Sequence, residues 1–324
     1  MKPIIPLNPA TYRRHPIHGE NRVWAETNCY SDVVIELLHA LGLEPIAALP
    51  FTLAIDFEGD QWTFFKFADA DLLELYGLDI QELAVWRPLA QHIADQVAAG
   101  RPVLVELDSC FLPDTAGTAY RLAHVKSTVA VNEIDLERRH LGYFHNQGYY
   151  VLEGQDFIDV LQLDGPVHER VLPPYVEYVK TLPDAPRPDT PALAQLSLNV
   201  LKKHLARAPQ RNPFNAFKAR FNADLDWLMG ADIDVFHSYS FATLRQFGAC
   251  YELAATYLEW LTQLGLNRAP DSGAAFLQIA QGAKALQFQL ARAMARKKPL
   301  ELGALDDMAR LWDQGMDALR RHHA

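Results

Sequence analysis

Cysteine is scarce in this chain: Cys29, Cys110 and Cys250 are the only three among 324 residues. An odd number with no metal-ligand spacing argues against a disulfide framework and against a thiolate zinc site. No window approaches the roughly 18 consecutive apolar residues of a membrane span. The opening stretch Met1-Lys2-Pro3-Ile4-Ile5-Pro6 lacks the apolar core of a secretory signal. The expectation is a cytoplasmic protein that does not engage a membrane. Neither Gly-x-x-x-x-Gly-Lys nor a strand-linked Gly-x-Gly-x-x-Gly occurs, so no nucleotide cofactor is expected. His15, His18, His168, His204, His237, His322 and His323 show no His-x-x-x-His or carboxylate pattern, and no metal is expected. Positive charge is short too, with 30 Lys and Arg against 40 Asp and Glu. The net charge of −10 argues against general nucleic-acid binding.

What is present centres on one thiol. Thr27-Asn28-Cys29-Tyr30-Ser31-Asp32 runs into Val33-Val34-Ile35-Glu36-Leu37-Leu38, a polar loop turning into an amphipathic helix. Asn28 or Ser31 serves as the cap, Val33, Val34, Leu37, Leu38 and Leu41 form the apolar stripe, and Gly42 stops the helix. The free N–H groups and positive dipole end of a helix favour thiolate, the nucleophilic form, at Cys29. Cys110, after a strand end, and Cys250, inside an apolar helical run, read as packing residues.

A base for such a thiol lies downstream. Pro102 to Asp108 reads as a strand after a helix near Leu89 to Ala99. His124-Val125-Lys126-Ser127-Thr128-Val129-Ala130-Val131 begins a second strand, and Leu141 to Asn146 forms a third, paired as a hairpin. A thiol attacking a carbonyl needs a base, and the base needs an orienting partner on its other nitrogen. His124 is the expected base and Asn146 the orienter, with His145 as alternative; strand alternation lets only one of these two face His124. Asp108 could also orient His124 or position a substrate amine. Cysteine on a helix, histidine on a strand and a polar orienter on the next strand is the chain order of papain-like enzymes.

Leu182 to Pro191 is rich in proline and reads as a linker, dividing a domain at 1–181 from an α-helical domain at 192–324. Helices are expected at 192–208, 213–229, 240–264, 274–296 and 304–323, the first signalled by Thr190 before Pro191. Phe64-Phe65-Lys66-Phe67 reads as a core strand. Arg245 and Glu252, seven apart on one helix face, bracket a polar substrate or anchor the fold. Trp24, Glu26 and Tyr30 flank Cys29 as candidate lining of an acyl pocket.

Gly100 to Asp108, Leu112-Pro113-Asp114-Thr115, His124-Val125-Lys126, Gly142 to Asn146 and Tyr239 to Glu252 resemble the bacterial family catalogued as domain of unknown function 1839. More remotely, the N-terminal half is similar to the acyltransferase that loads an aminoacyl side chain in butirosin biosynthesis. The resemblance implies an α+β fold with a papain-like N-terminal domain and an α-helical C-terminal domain. It also implies transfer of an acyl group from a carrier-protein thioester to a small amine through a Cys29 acyl-enzyme. Phosphopantetheine would then arrive on the partner. Where papain-like peptidases carry an oxyanion-hole Gln, this chain reads Arg22-Val23-Trp24-Ala25-Glu26, so Asn28, the Cys29 N–H or another donor would hold the oxyanion. Carrier proteins are typically acidic, and Lys202, Lys203 and Arg207, or Arg292, Arg296 and Lys297, are the expected docking cations. A cysteine amidase or peptidase and a non-catalytic carrier-binding scaffold are the alternatives.

Overall fold

The computed structural model describes residues 2–165, 174–185 and 187–323; His168 and Pro186 lie outside the described residues. Its elements begin with α1 (Cys29–Ala40), β1 (Phe57–Glu58), β2 (Gln61–Trp62), α2 (Asp69–Tyr76), β3 (Leu78–Glu82), α3 (Leu89–Ala98) and β4 (Val103–Asp108). Next come β5 (Lys126–Asp135), β6 (His140–His145), β7 (Gly148–Glu153), α4 (Gly154–Val160) and β8 (Val176–Thr181). Helices α5 (Thr190–Arg207), α6 (Pro213–Gly230), α7 (Ile233–Ser240), α8 (Gln246–Gln263), α9 (Pro270–Arg296) and α10 (Gly303–His323) complete the chain. The architecture is α+β, with a sheet region and a helical C-terminal part. Among the described residues, no helix is long and apolar enough to cross a membrane.

The residues gather into two compact units that interleave along the chain. The first comprises Met1–Gly19, Asn28–Pro45 and Asp69–Arg187; the second comprises Glu20–Thr27, Ile46–Ala68 and Pro188–Ala324. Only the last crossing falls in the proline-rich stretch. The two earlier excursions carry no shift in composition that would announce them.

In the first unit six antiparallel strands are ordered β3-β8-β4-β5-β6-β7. Strand alternation sorts their side chains into two faces. On one, Val103, Val105, Leu107, Val129, Val131 and Tyr143 pack with Ala90, Ile93 and Val97 of α3 and Phe157 of α4. Helix α1 packs against β5 and β6 and is buried along Tyr30 to Leu38, well beyond the expected apolar stripe. Its polar residues Ser31, Asp32 and Glu36 are therefore buried too and must find partners.

In the second unit an aromatic core joins Phe57 and Trp62 of the short β1–β2 hairpin to Phe214, Phe217 and Phe247. Phe65 and Phe67 are buried while Phe64 and Lys66 are exposed, but this run is not a strand. The period-two pattern is real, but among the described residues no strand pairs with this run. The helix expected from Ser240 begins at Ile233 and passes through a π-helical turn, Phe241–Arg245, into α8. The start of α5 is capped by Asp189, whose side chain accepts from the Ala192 N–H, with Thr190 and Pro191 in the first turn.

Candidate functional site

Asn28 adopts an extended backbone and its side-chain oxygen accepts from the Ser31 N–H at 2.9 Å, making it the N-cap of α1. Cys29 is therefore the first helical residue. The Asp32 N–H closes the first turn onto the Asn28 carbonyl. The Cys29 N–H, like any first-position amide, has no intrahelical acceptor. Cys29 is partly exposed, whereas Cys110 and Cys250 are buried. Full burial pushes the Cys250 thiol well above its ordinary range, and that thiol donates to the Thr52 carbonyl.

The Cys29 thiol donates to the Thr128 hydroxyl at 3.7 Å. This contact defines which face of the sheet the thiol meets. In the β4–β5 register Thr128 is opposite Glu106, and Lys126 is opposite Asp108; cross-strand partners share a face, as do residues two apart. Glu106 and Lys126 are ion-paired. Asp108 Oδ2 lies 2.6 Å from His124 Nδ1. On β8, Glu177 is opposite Leu104 and so faces the same side; its carboxylate accepts from Tyr30 at 3.1 Å and Tyr175 at 2.7 Å. Burial, reinforced by the Glu177 charge, pushes both phenols up. The thiol thus looks onto a row of polar side chains, two of them in the Asp108–His124 pair. With the Asp108 carboxylate on Nδ1, the second ring nitrogen of His124, Nε2, is on the other side of the ring.

Several expected partners are placed differently. Strand β5 begins at Lys126, so His124 precedes it by two residues, with its side chain 63% exposed. No hydrogen bond joins Cys29 to His124. Asn146 is not on a strand: it occupies the turn between β6 and β7 at φ 47°, a left-handed position that asparagine tolerates. His145 lies opposite Val129 and beside Ser127, on the face away from Thr128. Its Nε2 is 2.6 Å from Ser127 Oγ and its Nδ1 is 2.5 Å from Asp114 Oδ2. The set has the connectivity of a serine triad, with Ser127 held in the β4–β5 ladder opposite Leu107. Asp114 also accepts from the Tyr143 hydroxyl. The network therefore ties the 109–115 excursion to the sheet.

A second buried cluster lies along α1. His18 Nδ1 is 2.5 Å from Glu36 Oε1 and its Nε2 is 3.2 Å from Asp32 Oδ1. Tyr12 and the His15 N–H also donate to Glu36. Burial opposes a charge on His18, but the hydrogen bonds and charges of Asp32 and Glu36 outweigh it and hold the ring up at about 9. His15 goes the other way, to about 4, through burial and the neighbouring His39. Its Nδ1 accepts from the Ile17 N–H, which requires a neutral ring nitrogen. Sequence pattern missed this cluster because His18 is 14 and 18 residues from its partners. The one local signal was the i, i+4 spacing of Asp32 and Glu36. Thr128 and Glu177 were missed as well, although polar residues inside apolar strands mark both.

Trp24, Glu26, Arg245 and Glu252 belong to the second unit. The Glu252 carboxylate accepts from the Val23 and Trp24 N–H groups at 2.9 and 2.8 Å. Arg245 donates to the Thr27 and Glu26 carbonyls at 3.0 and 3.1 Å. Both side chains thus hold the Glu20–Thr27 segment, the anchoring alternative rather than the bracket around a substrate. Trp24 is buried, its indole N–H donating to the Ala280 carbonyl at 3.1 Å, and so it does not line an open pocket. Lys202, Lys203 and Arg207 are exposed on α5, as are Arg292 and Arg296 on α9; Lys297 donates to the Met229 carbonyl. Among the described residues no group of three or more His, Cys, Asp or Glu could hold a metal ion.

Comparison with known families matches residues 13–181 to the DUF1839 N-terminal domain and residues 190–321 to the DUF1839 C-terminal domain. No curated protein sequence matches the chain.

Proposed function

This chain belongs to the DUF1839 family, and within it we propose that the first unit is a papain-like acyltransferase using Cys29 as nucleophile. The observation that carries this reading is the placement of the partly exposed Cys29 at the first position of α1, facing the sheet side that bears the Asp108–His124 pair. The resemblance read from the sequence to the butirosin acyltransferase would make the donor a carrier-protein thioester and the acceptor a small amine.

In the proposed reaction His124 Nε2 takes the thiol proton, and the Cys29 sulfur attacks the thioester carbonyl carbon. The carbon–sulfur bond to the donor breaks, and the departing thiolate receives the proton from His124. The acyl group is then a thioester of Cys29. An amine attacks the same carbon, His124 accepts its proton, and the Cys29 thiolate is expelled. Asp108 holds the tautomer and offsets the imidazolium charge. The Cys29 N–H, which as a first-position amide has no intrahelical acceptor, would serve as an oxyanion donor. A thioester is an activated acyl donor, which suits a site without the peptidase glutamine.

Intact-mass spectrometry after mixing the protein with acyl-loaded carrier proteins and small acyl thioesters tests the reading. An adduct equal to the acyl group, absent in Cys29→Ala and slowed in His124→Ala, is expected. No adduct from any donor, with Cys29 alkylated no faster than Cys110, would exclude it in favour of a binding role.

A further inference from the structure

The exposed face of α9 is positively charged in a chain whose net charge is −10. Lys284, Phe288 and Arg292 are spaced by four residues and so lie along one face. After Asp271 the helix contains no acidic residue. Among the described residues neither Lys284 nor Arg292 has a carboxylate within ion-pairing distance. Phe288 is 64% exposed. The π-helical turn packs alongside α9 and contributes Phe241, 45% exposed, and Arg245, whose guanidinium lies 5.4 Å over the Phe241 ring. The Lys284 ammonium sits 4.1 Å from the Trp24 ring centroid and 6.0 Å from that of Phe288. Burial and the Arg245 charge push Lys284 down against an upward pull from the Glu252 charge, and Arg245 is itself ion-paired with Glu26 at 3.5 Å. Arg296 and Lys297 are not needed here: both lie at the helix C-terminus, where the dipole favours cations.

We infer that Lys284, Phe288 and Arg292 of α9, with Arg245 and Phe241 beside them, form the docking surface for an acidic helix of the acyl-carrier protein. This rests on the reading of Cys29 as an acyltransferase nucleophile. Charge complementarity chooses the occupant. From Lys284 to Arg292 the stripe runs about 12 Å at 1.5 Å per residue, two turns of a partner helix rather than a pocket for a small ion. Exposed phenylalanines between cations match the aromatic and arginine anchors of protein interfaces. A long polyanion such as nucleic acid would meet the net negative field of the remaining surface.

The test uses the full chain, with Lys284→Gln/Arg292→Glu and, because Lys284 is half-buried, the exposed Arg292→Glu alone. Acylation of Cys29 is followed by mass with two donors: a panel of acidic, acyl-loaded carrier proteins, and the same acyl groups on N-acetylcysteamine. The expected result is at least about a tenfold loss of rate with the carrier and none with the small thioester. Raising salt from about 50 to about 300 mM should reproduce the loss in the unmodified protein. Unchanged carrier-dependent rates, or equal losses with both donors, overturn the docking surface. If neither donor acylates Cys29, the acyltransferase reading fails and the docking surface is judged by direct titration with the carriers. A salt-dependent complex lost in the variants would uphold it; no such complex, or variant-sensitive binding of single-stranded DNA or anionic vesicles instead, would overturn it.

Discussion

Cys29 and Thr128 are separated by 99 positions in the chain and by 3.7 Å between sulfur and hydroxyl oxygen. That contact places the thiol at the helix start and on the polar side of the sheet together. The Thr128 hydroxyl can accept from a thiol or donate to a thiolate, so it remains a partner in either state.

Selective thiol chemistry follows. Iodoacetamide at pH 7 should modify Cys29 at least about tenfold faster than Cys110 or Cys250, because reactivity tracks thiolate content and access. Thr128→Val should slow that modification by a few-fold through loss of a thiolate donor, and Asp108→Asn should lower acyl transfer by about 10²-fold or more while leaving alkylation in place. Peptide mapping and single-turnover rates read the two effects separately.

The His18 and His15 pairings make stability depend on pH in opposite senses. His18 titrates near 9 in the fold against 6.5 as a free side chain, so its contribution is complete below pH 6.5 and is lost as pH rises through about 9. It is worth about 3 kcal/mol at most. His15 titrates near 4; the unfolded chain binds that proton first, so stability is lost as pH falls from 6.5 toward 4. Urea midpoints should peak near pH 6.5. His18→Gln should flatten the alkaline limb and His15→Gln the upper part of the acid limb.

Gly248 admits the Trp24 indole. A Cβ at that position would lie 2.7 Å from Trp24 Cε2 and Cζ2, inside any real contact. Gly248→Ala should therefore destabilise the protein by about 1–3 kcal/mol despite alanine's better helix propensity. Adding Trp24→Phe should recover part of the loss, as measured by denaturant midpoints of the single and double variants.

Glu252 is the acceptor for the Val23 and Trp24 main-chain amides. Glu252→Ala should cost about 2–4 kcal/mol, since it strands buried donors. Hydrogen exchange at Val23 and Trp24 should rise by orders of magnitude. Faster exchange confined to regions outside residues 20–27 would contradict the anchoring role.

What could be read without tertiary structure is what short-range physics decides. Asn28 caps Ser31 three residues on, Cys29 opens α1, Gly42 ends it in the left-handed region at φ 72°, and Pro191 sits in the first turn of α5. Each depends on groups within a few residues, so residue type suffices. Alternation along the strands was equally legible, but not which face of the sheet would receive the thiol. Ser127 and Thr128 point to opposite faces, and only the packing of α1 decides that Cys29 meets Thr128 while His145 meets Ser127. Asn146 read as a strand residue because nothing local announces that β6 ends at His145. Glu20–Thr27 reads as an ordinary loop, yet its carbonyls and amides are bonded to Arg245 and Glu252 more than 200 residues away. Local bonds are written in residue order; the choice of face, the buried His18 cluster and the second unit's hold on residues 20–27 arise only when distant segments exclude water together.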